Sequence, residues 1–229
     1  MTDANEPSFP PSPVAALRER LKAQSPRRTW VLTGDSITHG AKWVGRERSY
    51  PEIFHERIRY ELQLYFDVFV NTGLSGESTP GLLADFEWRV LRFKPDIVSV
   101  MIGMNDSKGG PEGRERFAAN LREMVRRVRG VGAIPILHRT NPISPEGEAS
   151  AIRTDLPAYN AIIGQVAAAE QVVEVNHWDH WQTAKVANGT LNDWLADPIH
   201  PNGAGHRQFA ITFCQTLGIY DPAAFSCQP

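Results

Sequence analysis

Residues 29–40 read TWVLTGDSITHG: an apolar run that stops at Gly34 and turns at once through an acid and a serine. A six-residue apolar run of this kind predicts a buried strand over 29–34. The corner at its end has two readings. A strand that leaves through Gly-Asp-Ser either just turns or holds a hydroxyl out of the sheet where a base can reach it. Only the rest of the chain can tell these apart.

Outward from this strand, apolar runs alternate with helical periodicity. FDVFVNTG (66–73), DIVSVMIG (96–103), AIPILHR (133–139) and VVEVNHW (172–178) predict four more strands. Between them lie helical stretches at 50–65, 80–93, 114–130 and 158–171, with a closing one at 203–218. The clearest is 114–130, where Phe117, Leu121, Met124, Val125 and Val128 form one apolar stripe. Strands separated by helices imply right-handed crossovers and a mostly parallel sheet of about five strands, covered on both faces. The expected fold class is therefore α/β, three-layer α/β/α. The expected boundaries are a proline-rich flexible arm over 1–13, one domain over 14–220, beginning with a short helix at 14–23, and a tail over 221–229.

Composition excludes several functions. The 229 residues carry 41% hydrophobic content and a net charge of -2, which is enough apolar material for an α/β core and gives no electrostatic pull toward nucleic acid. No apolar run approaches the ~18 residues of a membrane span. The leading MTDANEPSFPPSP lacks a basic and then apolar region, so a cytoplasmic location is expected. Two cysteines make no disulfide framework; Cys214 is expected in the core and Cys227 free in the tail.

In open parallel sheets, ligands bind beyond the carboxyl ends of the strands. The chemically capable residues fall there. Ser36 follows the first strand, NTGLSGES (71–78) the second and GMNDS (103–107) the third, while ADPIHPNG (196–203) precedes the last helix. A serine needs an adjacent base. His200 can supply it, and Asp197, three residues earlier across a turn stiffened by Pro198 and Pro201, can hold the imidazole tautomer. Asn202 is placed to cap the last helix. The Ser36 N–H, the Gly76 N–H and the Asn105 amide can aim donors at a developing oxyanion. Alone, each of these reads as a turn or a cap; together, in this order and at strand ends, they are much harder to obtain by accident.

GDSITHG, the glycine of NTGLSGES, GMND and DPIH resemble the four blocks of the SGNH (GDSL) hydrolase family, over about residues 29 to 218. The resemblance implies a flavodoxin-like fold and ester hydrolysis through an acyl-serine. It implies Ser36, His200 and Asp197 as the catalytic residues and Ser36, Gly76 and Asn105 as the oxyanion hole. No metal or organic cofactor is implied. The expected substrate is a small-molecule ester with a short acyl group, acetyl first, carried on carbohydrate. The same triad also serves an acyltransferase, lysophospholipase or thioesterase, and a non-catalytic carbohydrate- or acyl-binding module would need none of it.

Asp35, Trp43, Asp106, Trp178, Trp194 and Ile199 are further candidates for substrate contact, with Trp181 grouped beside them. Competing motifs fail. Gly-x-Ser-x-Gly and Gly-x-Gly-x-x-Gly do not occur. GAKWVGR (40–46) has P-loop spacing but puts Arg46 where a lysine belongs. HWDH (177–180) offers His177 and His180 but no third set of metal ligands.

Overall fold

The structure, a computed structural model, describes residues 12–228. Five strands form one sheet: β1 (Thr29–Gly34), β2 (Val68–Asn71), β3 (Ile97–Met101), β4 (Ile134–Arg139) and β5 (Val173–Asn176), in the order β2-β1-β3-β4-β5. Every neighbouring pair is parallel, so the sheet is wholly rather than mostly parallel. The helices are α1 (Pro13–Leu21), α2 (Ser36–His39), α3 (Tyr50–Glu56), α4 (Thr79–Ala84), α5 (Phe86–Arg89), α6 (Gly110–Gly130), α7 (Glu148–Ala151), α8 (Leu156–Ala169), α9 (His177–Trp181) and α10 (Gly203–Leu217).

Successive side chains on a strand face opposite ways, and this divides the interior in two. Trp30, Leu32, Ile97 and Met101 point to one side and pack with Leu17 of α1, Phe54 of α3 and Phe209 and Phe213 of α10. Val31, Val98 and Val100 point to the other and pack with Leu82, Phe86, the α6 stripe and Ile163 of α8. This is the three-layer α/β/α architecture. β2 closes one edge. It is shorter than the 66–73 expected because Asp67 leaves the ladder to take the buried Arg28 guanidinium at 2.8 Å and the Trp30 indole N–H at 3.0 Å.

Three further departures from expectation have local causes. The helix expected at 80–93 is cut into α4, α5 and a tight turn at Leu91–Phe93. Arg89 is drawn inward, where it donates to Thr72 O at 2.8 Å and pairs with Glu77. The helix expected at 50–65 ends at Glu56 and widens into a π-turn over Arg57–Glu61, where Arg57 reaches back to Ile219 O at 2.8 Å. The end of the chain is not loose: Ser226 donates to the Glu61 carboxylate, and Ser226 and Cys227 are buried. Both cysteines are free thiols in the core cluster that lines α10. The arm expected over 1–13 lies, as far as residue 11, outside the described residues. No helix among the described residues is long and apolar enough to cross a membrane.

Candidate active site

The corner at Gly34 is glycine for a spatial reason. A Cβ there would sit 2.0 Å from Met101 O on β3 and 2.7 Å from Thr38 Oγ1. The bare backbone lets the chain pass tight against β3 and turn directly into α2. Asp35 then caps that helix, accepting the Ile37 N–H at 3.0 Å. Ser36 is its first residue, so the Ser36 N–H has no acceptor within the helix.

Ser36 Oγ lies 2.9 Å from His200 Nε2, across 164 positions of sequence. His200 Nδ1 lies 2.8 Å from Asp197 Oδ2 and 3.0 Å from Oδ1. Asp197 Oδ1 also accepts the N–H groups of Ile199 and His200, both at 2.8 Å. A carboxylate only accepts. The ring proton therefore sits on Nδ1, which leaves the Nε2 lone pair facing the serine. Burial lowers the His200 pKa below its ordinary value, and the Asp197 hydrogen bond and charge only partly offset this. Burial pushes Asp197 up, but the two backbone N–H groups and the imidazole outweigh it and hold the carboxyl below its usual range. A neutral base beside a firm carboxylate is the result. The Trp43 ring lies flat on the imidazole, with centroids 3.6 Å apart and planes 10° from parallel.

The loop after β2 supplies Gly76 at φ +83°, a left-handed turn position that suits glycine, and its N–H has no acceptor among the described residues. The loop after β3 supplies Asn105. One of its amide hydrogens goes to Glu77 O at 2.9 Å, which ties the two loops together and leaves the second hydrogen for a ligand. Glu77 is itself fixed by Arg89, and His39 Nδ1 meets Ser75 Oγ at 3.0 Å. Neither attachment had a signature in the sequence.

Several expected substrate contacts stand elsewhere. Asp35 is fully enclosed and caps α2, and Asp106, half-buried, accepts from the N–H and hydroxyl of Thr79 at 2.9 and 2.5 Å, which secures its loop. Trp181 is a core residue at 0% exposure. Trp194 is half-buried and packs edge-on against Trp181 at 5.0 Å. Ile199 is half-buried and gives the turn its N–H. His177 is buried against His138 at 3.0 Å, whereas His180 reaches Gln208 at 3.3 Å, so the two have separate partners. Among the described residues no group of three or more metal-ligating side chains occurs.

Trp178 does line a cavity. It holds about 660 Å³ between the chain after β4 and the chain after β5, bounded also by Ile143, Arg153, Leu156 and Leu191. Neither Ser36 nor His200 lines it. A groove of about 290 Å³ shares Ser144 and Asn192 with it and is bounded by Asp197 and Pro198, so the large cavity adjoins the turn that carries Asp197.

This arrangement of chain and loops is a known one. The GDSL-like lipase/acylhydrolase family matches residues 32–208. The chain belongs to that family. It is a carboxylic ester hydrolase of GDSL type. An acetylxylan esterase from Geobacillus stearothermophilus is 29% identical over 208 residues, spanning 82% of this chain and 93% of that protein. An uncharacterized lipoprotein, YqeF, of Bacillus subtilis (strain 168) is 27% identical, over 76% of this chain and 84% of its own. Among solved structures, LAE5, an alpha/beta hydrolase enzyme from the metagenome of Lake Arreo in Spain, superposes with TM-score 0.70 at 26% identity, covering 84% of this chain and 95% of that one. A catalytic mutant of the Geobacillus acetylxylan esterase superposes at 0.68 with 25% identity, over 83% and 94%.

Proposed function

We propose that the protein is a serine esterase that removes acetyl groups from carbohydrate esters, with Ser36, His200 and Asp197 as its triad. Ser36 Oγ attacks the ester carbonyl while its proton passes to His200 Nε2. The Ser36 and Gly76 N–H groups and the free Asn105 amide hydrogen take the oxyanion. His200 then gives the proton to the departing sugar hydroxyl, water adds through the same histidine, and acetate leaves with Ser36 restored. The general base is worth about 10²–10⁴ in rate and each oxyanion donor about 10²–10³.

The observation that carries this reading is the unbroken line from Ser36 Oγ through the imidazole to Asp197, with contacts of 2.9 and 2.8 Å. The relative named as an acetylxylan esterase supports the acetyl group and the carbohydrate. An organophosphonate should label Ser36 stoichiometrically, and Ser36→Ala should abolish both labelling and turnover. On para-nitrophenyl esters from acetyl to dodecanoyl, kcat/KM should be highest for acetyl. Absence of an adduct on Ser36 would refute the triad; a best rate beyond octanoyl would refute the acyl preference.

A further inference from the structure

Four arginines among the described residues are buried: Arg28, Arg57, Arg89 and Arg153. Three hold an acid, in the pairs Arg28–Asp67, Arg57–Glu61 and Arg89–Glu77. Arg153, at 6% exposure, pairs with none of the described carboxylates. Its Nε donates to Met104 O at 3.1 Å and Nη1 to Ala149 O at 3.2 Å, while Nη2 has no partner among the described residues. Nη2 is not sealed in either: it is absent from the enclosed unpartnered atoms, and the side chain forms part of the wall of the 660 Å³ cavity. A guanidinium cannot shed its proton, and a buried charge without a counter-ion is costly. Asp35 acts on it only from beyond ion-pair distance, and burial lifts Asp35 to about 7, so its charge is incomplete at neutral pH. Glu146 stands on the exposed rim.

The cavity also has a size to explain. Its volume is in the range that encloses drug-sized ligands, far beyond what an acetyl group fills. An alkyl chain would suit Ile143, Leu156, Trp178 and Leu191 but would leave the guanidinium buried against hydrocarbon. A ring with an apolar face and one carboxylate satisfies both the wall and the charge. We infer that this cavity receives the alcohol portion of the substrate as a sugar bearing a carboxylate, a uronic acid, and that Arg153 binds that carboxylate. The inference rests on the acetyl-carbohydrate reading above and adds the charge of the sugar to it.

The test is competition against para-nitrophenyl acetate. D-glucuronate should inhibit competitively at least about tenfold more tightly than D-glucose, the gain of one charge-assisted hydrogen-bonded pair. Sodium acetate, a carboxylate without the ring, should inhibit less than glucuronate. In Arg153→Met the preference for glucuronate over glucose should collapse to within about twofold, with Arg153→Lys between, folding being checked by circular dichroism. Equal inhibition of the wild type by the two sugars overturns the inference without any variant, as does acetate matching glucuronate. If the wild type deacetylates xylose tetraacetate but shows no glucuronate preference, the uronic acid falls and the esterase reading stands. If it deacetylates no sugar ester, both fall.

Discussion

Asp197→Asn should leave the His200 imidazole in place and reverse its polarity. Asp197 Oδ1 accepts two backbone N–H groups at 2.8 Å, and Oδ2 faces Nδ1 at 2.8 Å. An asparagine can keep the two backbone bonds only by placing its carbonyl oxygen at the Oδ1 position. Its NH2 then falls where Oδ2 was and donates toward Nδ1. Nδ1 must accept, so the ring proton moves to Nε2, 2.9 Å from Ser36 Oγ. A donor then faces the nucleophile where a base is needed. An imidazole held in the wrong tautomer costs about 10⁴ in kcat, or about 5.4 kcal/mol of barrier. Folding should lose no more than about 1 kcal/mol, since the turn keeps both backbone bonds. Steady-state kcat on para-nitrophenyl acetate, with a thermal melt on the same sample, reads both quantities. The wild-type kcat/KM should rise with pH along a limb set by His200, below the ordinary histidine value of 6.5. Asp197 favours the charged imidazole, so in the variant any residual limb should move lower still. More than a tenth of wild-type kcat with an unmoved limb would refute the assignment of Asp197 as the group that fixes the tautomer.

Asn105→Ala should lower kcat about 10²–10³-fold with KM changed only a few-fold, because the amide serves the oxyanion; a rise in KM alone would contradict that role. Trp43→Ala should cost about 0.5–1.5 kcal/mol of ring stacking, roughly two- to thirteenfold in kcat/KM, and Trp43→Phe should restore most of it; equal losses in the two would show that the stack does not position His200. Burial pulls His138 and His206 down from 6.5 to about 3, so each is neutral in the fold and takes up its proton on unfolding in acid. Stability is then full above pH 6.5 and falls as pH drops toward 3, by about 1.4 kcal/mol per histidine for each pH unit. Urea midpoints that match at pH 7 and pH 5 would count against that burial.

The strands were legible because each is a short apolar run between turn residues, and β1 occupies the 29–34 read from sequence. Ser36, Gly76 and Asn105 could be picked out because strand ends fix where their loops emerge. What the sequence hid was set by distant partners. The helical stretch at 80–93 was visible, but the breaks between α4, α5 and the turn beyond them answer to Arg89 reaching Thr72 O. Burial of the chain end depends on Ser226 meeting Glu61, 165 positions away. Arg153 sits in AIRTD, which has no motif. Its meaning lies in having no acid paired with it among the described residues, which the linear sequence does not show. Which way Asp35 and Asp106 turn was hidden for the same reason: a place beside Ser36 or Asn105 in sequence does not say which groups a carboxylate meets.

The register of the sheet explains why nucleophile and oxyanion donor meet, but not why the base does. Gly34 pairs with Met101, and Met101 with His138, so β1 and β3 end on one level and β4 one residue beyond it. Ser36 lies two residues beyond that line and Asn105 four, close enough to share an edge whatever the loops do. His200 follows no strand. Its turn is held from the side: Asn141, three residues past the same line on β4, donates to Ile199 O at 3.0 Å, and Ser144 N–H reaches Pro198 O at 2.8 Å. A bridge between Leu195 and Pro201 closes the turn on itself, and Asn202 caps α10 through Gly205 N–H at 3.0 Å. The imidazole and the Asp197 carboxylate are therefore the two members of the triad positioned by loop upon loop. Serine geometry should survive damage to the loop after β4, while the alignment of His200 should not.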